Sequence, residues 1–444
     1  MKSKLLYFGA AVFSLLLMAA PGARSQGLTF TTNTYAVGSQ PDAVAVADIN
    51  GDGNPDLISA NYGGNSLTVL NNNGSGLFGV NATLPVGTNP VFVAAADING
   101  DGHPDLICAN AGENSLTVFT NNGNGGFGFN ATLEDFYGVG TPDGLVLTNI
   151  FGNSYPDLIC ANTNGLLVVF QNTGPGEFVF QNTYGVGSGS EYVIAADVNG
   201  DGHPDLITAD YANNTLTVLT NDGTGNFPNL TTYTVGTNPV CVAAADINGD
   251  GKVDLVCANY TSKSLTVLTN NGHGVFGSNA TINLSGKPTS LALQDLNNDG
   301  KPDLVVTVSA LVSDIQVFTN NGSGGFGSNT TINLGTQSSV VTANVTGTTR
   351  KYVITANDSP LGKLTVLTQP GPFSPHLTIT HPSLNSFKVS WVSTYTNFIL
   401  QTNSNLTAPN WSPANLPLSL SNGTNQSSTL NPAPPGKLFF RLVE

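Results

Sequence analysis

The chain has 444 residues, with 13 Lys+Arg against 28 Asp+Glu and a formal net charge of −15. That balance argues against nucleic acid and anionic membrane surfaces as partners, since both repel an acidic protein. The length suits two or more ordinary domains, or one long repeat array.

Residues 1–25 read as an export signal. Lys2 and Lys4 give the charged start, Leu5 to Ala20 the apolar core, and Ala23-Arg24-Ser25 a small-x-small cleavage site. The apolar run is short and ends at Pro21-Gly22, which argues against a retained anchor, and no other span is apolar enough for membrane insertion. The expected location is extracellular, secreted or at the cell surface, where Ca²⁺ is abundant.

From residue 48 one loop recurs. In Asp97-Ile-Asn-Gly-Asp-Gly-His-Pro-Asp105, oxygen-bearing side chains stand at positions 1, 3, 5 and 9 and glycine at position 6. A hard cation such as Ca²⁺ takes six to eight oxygens, and alternate residues of a tight loop can face one centre. Five copies carry the pattern. Their metal candidates are Asp48, Asn50, Asp52, Asn54 and Asp56; Asp97, Asn99, Asp101, His103 and Asp105; Asp197, Asn199, Asp201, His203 and Asp205; Asp246, Asn248, Asp250, Lys252 and Asp254; and Asp295, Asn297, Asp299, Lys301 and Asp303. Position 7 (Asn54, His103, His203, Lys252, Lys301) would contribute its backbone carbonyl and leave its side chain outside. About five Ca²⁺ sites are expected, and these loops hold 15 of the 28 acids, so much of the negative charge reports metal sites. The competing reading is a polar Asx turn without metal, which five copies of one ligand pattern disfavour.

The loop position recurs at 48, 97, 149, 197, 246, 295 and 344, a period of 48–52 residues. Each repeat reads as four strands: an Ala-rich first (Val93–Ala96), a second after the loop (Asp105–Ala109), a third (Ser115–Phe119), and a fourth from Phe127 to near Val139. Asn-Gly turns separate the third and fourth strands, and Phe78, Phe127, Phe178, Phe227, Phe276 and Phe326 are placed to anchor the fourth. Small alanines suit a crowded centre. The fold expected is all-β: a seven-bladed β-propeller over 26–373. The seventh repeat stops after three strands at Gln369–Phe373, and Asn33–Gly38 resembles the fourth-strand ends Asn182–Gly187 and Thr231–Gly236. Residues 28–38 are thus expected to close the last blade.

The third loop, 149–157, keeps one carboxylate (Asp157) and the seventh, 344–352, keeps none and adds two cations; both are expected to hold no metal. Cys108, Cys160 and Cys257 share one repeat position and read as small core residues; Cys241 and Cys257 fall on neighbouring strands, which leaves a pairing open. After three prolines between 370 and 375, residues 374–444 read as a small β-sandwich with Trp391 in its core, weakly resembling a fibronectin type III module.

The Asp-x-Asn-x-Asp-Gly-x-x-Asp-Leu loops, the Asn-Gly-x-Gly-x-Phe-Gly turns and the period together resemble the FG-GAP/VCBS repeat family, which includes the propeller of integrin α subunits. The resemblance implies seven blades with Ca²⁺ between the first and second strands. It does not name a function, since such propellers serve in adhesion, in lectins and beside catalytic domains.

Three functions follow. The favoured one is a non-catalytic, secreted, monomeric propeller that recognises an extracellular protein or polysaccharide through the face opposite the metal loops. There Asn61-Tyr62, Asp210-Tyr211 and Asn259-Tyr260 recur, with Tyr62, Tyr211 and Tyr260 as ligand-face candidates, or as ordinary loop punctuation. The second is a polysaccharide lyase or hydrolase; no Ser-His-Asp order or His cluster stands out, but Glu113, Asp143 and Glu191 are placed for the loop face. The third is a lectin, disfavoured because the propeller has no Trp on which a sugar ring would stack.

Overall fold

A computed structural model describes residues 28–134, 140–310, 314–335, 339–343 and 351–368, with strand backbones alone between 378 and 443. Gly27–Gly371 form one compact unit of seven four-stranded antiparallel sheets. Blade 1 consists of Pro41–Ala47, Asp56–Asn61, Ser66–Asn72 and Phe78–Pro85. Blades 2 to 6 repeat it over 90–133, 142–185, 190–234, 239–283 and 287–333. The first strands neighbour one another in a closed circle, with blade 7 returning to blade 1, so they line the axis.

Blade 7 is completed from the other end of the chain. Its strands Ser339–Ala343, Tyr352–Asn357 and Lys363–Thr368 are joined by Thr31–Ala36, antiparallel in the register Thr31↔Thr368 to Ala36↔Lys363. The fold and its closure are those expected from the sequence.

Burial follows strand order. In blades 1 to 5 every residue of the second strand is buried, because Asp-Leu-Ile/Val-x-Ala-Asn/Asp is covered on both faces by adjacent blades. The fourth strand, at the outer edge, is largely exposed. The core is therefore a set of layers between blades. One joins Ile58, Leu67 and Val69 of blade 1 to Leu106, Cys108 and Phe119 of blade 2. Another joins Leu57 and Phe78 of blade 1 to Tyr352, Ile354 and Leu364 of blade 7. The first-strand alanines Ala94, Ala95 and Ala96 stand at the centre, as expected, and are half-buried there.

The anchoring phenylalanines have partners that the repeat pattern did not reveal. Tyr35, Tyr184 and Tyr233, on fourth strands, meet Phe78, Phe227 and Phe276 of the next blade edge-on at 5.1–5.3 Å. Each hydroxyl also donates to a glycine carbonyl in that blade's turn: Gly76, Gly225 and Gly274. Where the tyrosine is absent, Asn81, Asn130 and Asn279 donate to Gly125, Gly176 and Gly324 instead. Either residue latches a blade to its successor.

Beyond residue 378 lie a four-stranded sheet (Thr378–Ser383, Ser386–Val392, Asn425–Leu430, Ser419–Ser421) and a three-stranded one (Ser412–Pro413, Ile399–Asn403, Phe439–Val443). The expected core role of Trp391, the linker at 370–375 and the signal at 1–25 lie outside the described residues.

Candidate metal loops and the opposite face

In blade 2 the loop from Asp97 folds on its own amides. Asp97 Oδ1 accepts from the N–H groups of Gly100 and Asp101 at 2.7 and 3.2 Å, and Oδ2 from that of Gly102 at 2.8 Å. Asn99 Oδ1 accepts from Asp101 N–H, and Asp101 Oδ1 from His103 N–H, both at 2.9 Å. Gly102 has φ +86° with open space around it, so backbone conformation and not room is what demands glycine there. The loops from Asp48, Asp197, Asp246 and Asp295 share the position 1 to position 6 bond at 2.8 Å.

Position 9 has a second role that the sequence reading missed. Asp105 is wholly buried; its Oδ2 accepts from Ile98 N–H at 3.0 Å and its Oδ1 from Asn121 N–H at 2.7 Å. Asn121, ending the third strand, donates from Nδ2 to the carbonyl of Ile49 in the preceding blade's loop at 2.7 Å. Asn172, Asn221, Asn270 and Asn320 reach Ile98, Ile150, Val198 and Ile247 in the same way. In blades 2 to 6 each position-9 carboxylate thus fixes its own loop and the hook that holds the previous one. The signal was available, because an Asn ends the third strand at 72, 121, 172, 221, 270 and 320.

The electrostatics leave these loops short of positive charge. Burial raises the carboxyl pKa of Asp56, Asp105, Asp205, Asp254 and Asp303, to about 6 for Asp105 and Asp303; amide hydrogen bonds oppose the rise. Carboxylates at positions 1 and 5 push further on Asp56, Asp105, Asp205 and Asp254, and Asp299 on Asp303. Among the described residues no three His, Cys, Asp or Glu side chains converge as a finished cage, since positions 1 and 5 are turned to the loop amides. The donor chemistry nevertheless fits Ca²⁺. Three carboxylates, an Asn amide oxygen and a backbone carbonyl are all hard oxygens, and a carboxylate oxygen accepting one N–H keeps a second lone pair.

The position-7 side chains rest on a neighbouring turn. A Cβ on Gly123 would lie 2.4 Å from His103 Nε2, and one on Gly223 2.7 Å from His203 Nε2, so each imidazole lies on its own blade's third turn. Lys252 and Lys301 lie likewise on Gly272 and Gly322.

The blade 3 loop is closed by amides. Asn149 Nδ2 donates to Asn153 O, Asn153 N–H returns to Asn149 Oδ1 at 3.1 Å, and Asn153 Nδ2 reaches Asn172 O at 2.8 Å. Its aromatics touch both neighbours: Tyr155 stands against Gly100 of blade 2, and Phe151 against Gly225 of blade 4. The seventh loop, 344–350 in particular, lies outside the described residues.

On the opposite face the first members of the Asn-Tyr and Asp-Tyr pairs are taken out of the surface, which favours the reading of the pairs as loop punctuation. Asn61, Asp210 and Asn259 are wholly buried. Asn61 Nδ2 donates to Ser66 and Thr68 hydroxyls at 3.2 and 3.0 Å, and Asn259 to Ser264 and Thr266 at 3.3 and 3.0 Å. Asp210 accepts from Thr208, Thr215 and Thr217 at 2.6–3.0 Å. A buried amide or carboxylate needs such partners, so the first member of each pair is structural. Blade 3 has Leu166 and Val168 where Ser and Thr stand in blades 1, 2 and 5, and Asn162 Nδ2 has no hydrogen-bond partner. Only the tyrosines remain for a surface: Tyr62 is 39% exposed, Tyr211 and Tyr260 half-buried, with Lys287 Nζ 4.5 Å from the Tyr260 ring centre. A groove of about 390 Å³ is lined by Thr234, at the end of blade 4, and by Ser262, Ser264, Thr266, Ser278 and Asn283 of blade 5.

Asp143 and Glu191 start the first strands of adjacent blades. Burial raises both carboxyls to about 7, and Glu191 and then Asp42 press on Asp143. Asp42 is raised to about 6, by burial and then by Asp358. The four cysteines are buried and free, so Cys241 and Cys257 do not pair; Cys241 sits opposite Ala258 in the ladder.

These features define a seven-bladed β-propeller with a repeated acidic loop. The FG-GAP-like repeat matches residues 48–108, 97–147, 149–208, 197–257 and 246–306, more than half of the chain. The protein belongs to the FG-GAP-like repeat family. No curated protein matches its sequence. Among solved structures it is similar in fold to BBS1N, crystallised in complex with ARL6DN, at 12% identity and TM-score 0.57, covering 79% of this chain and 99% of that one. A protein from Lactobacillus plantarum is similar at 15% identity and TM-score 0.51, covering 67% of this chain and 86% of that one. A functionally unknown protein from Desulfotomaculum acetoxidans DSM 771 matches at 12% identity and TM-score 0.50, over 67% and 91%.

Proposed function

We propose that this is an exported, non-catalytic recognition protein whose five complete loops bind Ca²⁺, and whose opposite face docks an extracellular protein. The observation carrying it is the loop chemistry: in blades 1, 2, 4, 5 and 6 the carboxylates at positions 1 and 5 share a loop with a buried position-9 Asp, which in blade 2 also fixes the hook to the blade before. Positions 1, 3, 5 and 9, with the carbonyl of position 7, would hold the ion. A divalent cation there relieves the repulsion and stabilises the ring that presents the docking face. Protein recognition suits a scaffold of this fold, and BBS1N, whose fold is similar, was crystallised with a partner protein.

The test immobilises the mature protein and passes extracellular proteins and polysaccharides over it, with Ca²⁺ and then with EGTA. Retention of a protein ligand, released by EGTA, is the expected result. Retention of polysaccharides alone would support the lectin reading, and no retention would remove the docking role. A second reading rests on Asp143 and Glu191, two neighbouring carboxyls raised toward neutrality, as a general acid and base would need. Polysaccharide cleavage lost in Glu191→Gln would establish it over the first.

A further inference from the structure

The five loops are not equivalent, and position 7 divides them. In blades 1, 2 and 4 that position is Asn54, His103 or His203; in blades 5 and 6 it is Lys252 and Lys301. The lysines are held at the loop. A Cβ on Gly272 would fall 2.9–3.0 Å from Cε and Cδ of Lys252, and one on Gly322 2.6–2.9 Å from the end of Lys301. Lys252 Nζ lies 3.9 Å from Asp250 Oδ2, the position-5 carboxylate of its own loop. Lys301 Nζ donates to Asn321 O at 3.0 Å, on the turn beside its loop. In blade 1 the same place is taken by a neutral amide, Asn54 Nδ2, donating to Asp52 Oδ1 at 3.0 Å.

We infer that blades 5 and 6 carry a built-in monovalent competitor, so that the protein binds Ca²⁺ in two classes: three tighter loops in blades 1, 2 and 4, and two weaker ones in blades 5 and 6. This rests on the calcium reading above. An ammonium one side chain from a bound dication, in a solvent-exposed loop, weakens binding roughly five- to tenfold at low salt. In blade 5 the lysine also faces a carboxylate, Asp250, that the ion must take over. Because blades 5 and 6 are adjacent, falling Ca²⁺ empties one arc of the ring first, beside blade 7, while blades 1, 2 and 4 keep theirs. The arrangement turns a structural ion into a graded one.

Calorimetric titration of Ca²⁺ into the chelator-stripped mature protein at low salt separates the possibilities. Wild type is expected to show two classes, and Lys252→Asn with Lys301→Asn, which installs the blade 1 residue, should merge them into one tighter class. Asn54→Lys should move one site from the tight class to the weak one. A single class in wild type, or two classes unchanged in the double variant, overturns the inference and leaves the calcium reading standing. No Ca²⁺ binding by any variant with an intact β-sheet circular dichroism spectrum overturns both.

Discussion

Blades 3 and 2 are neighbours with the same four strands, yet they hold their first loops by opposite means. Blade 2 uses carboxylates at positions 1, 5 and 9, whose mutual repulsion calls for a cation. Blade 3 uses Asn149 and Asn153, which satisfy one another, and aromatic side chains that reach both adjacent blades. Both keep the position-9 Asp, with Asp157 accepting from Asn172 N–H at 2.9 Å and Ile150 N–H at 2.9 Å. The difference separates two jobs that one motif combines. Position 9 is kept where positions 1 and 5 have lost their carboxylates, so its tie between blades does not depend on them; positions 1 and 5 fold their own loop and are the ones the proposed metal adds to.

The largest expected effect is calcium removal. Five occupied sites, each worth about 2.7 kcal/mol at a hundredfold excess of ligand, should raise Tm by about 10 °C or more over the EGTA form. Hydrogen exchange in EGTA should rise in the loop of blade 2 and stay unchanged at 149–157. Equal exchange changes in both would erase the distinction between the two loops.

Next come the position-9 substitutions. Asp157→Asn removes one acceptor from a buried site with three N–H donors, costing about 1–3 kcal/mol, equally with and without Ca²⁺. Asp105→Asn should cost the same in EGTA and more in Ca²⁺. Chemical denaturation under both conditions measures the difference between them.

Blades 3 and 4 also differ from blades 2 and 5 at the start of the first strand, where Asp143 and Glu191 stand in place of Val91 and Val240. Burial raises these acids in the folded state, so the native protein holds protons that the unfolded chain releases. Stability should be greatest near the unfolded carboxyl range around pH 4 and fall as pH rises through about 7, where both are ionised. Melting in saturating Ca²⁺ from pH 5 to 8 should show Tm dropping by several degrees, with the slope reduced in Asp143→Asn and Glu191→Gln. A flat profile would place both carboxylates in water.

The smallest effect tests the latches. Tyr184→Phe removes the hydroxyl donated to Gly225 O at 3.2 Å but keeps the ring contact with Phe227, and should cost about 0.5–1.5 kcal/mol in denaturation.

What the sequence made legible was whatever repeats within one blade: the loops, the four-strand period and the borrowed strand at Thr31–Ala36. What it hid lies between blades. The Asn121 hook to Ile49 spans 72 residues, and no local pattern states where its amide points, even though the asparagine recurs in the blades. The Asn-Tyr pairs were left open because a polar residue next to a loop tyrosine can face water or the core, and only the structure shows Asn61 buried with its amide satisfied by the hydroxyls of Ser66 and Thr68. The inner acids were visible only as isolated residues until closure of the ring brought Asp42, Asp143 and Glu191 into one field.

The borrowed strand has a consequence in time. Thr31 Oγ1 donates to Thr368 O across 337 residues of sequence, so the strand made first during synthesis finds its partner last. Until residue 368 emerges from the ribosome the nascent chain has an open end at blade 1 and no final register, and the entropy of closing so long a span falls on one late step. Blades 1 to 6 can condense one after another by local hairpins, but the hoop is fastened only when translation of the propeller is complete. A chain interrupted before Lys363–Thr368 remains an open row of blades, with the layer between blade 7 and Leu57, Leu70 and Phe78 still uncovered.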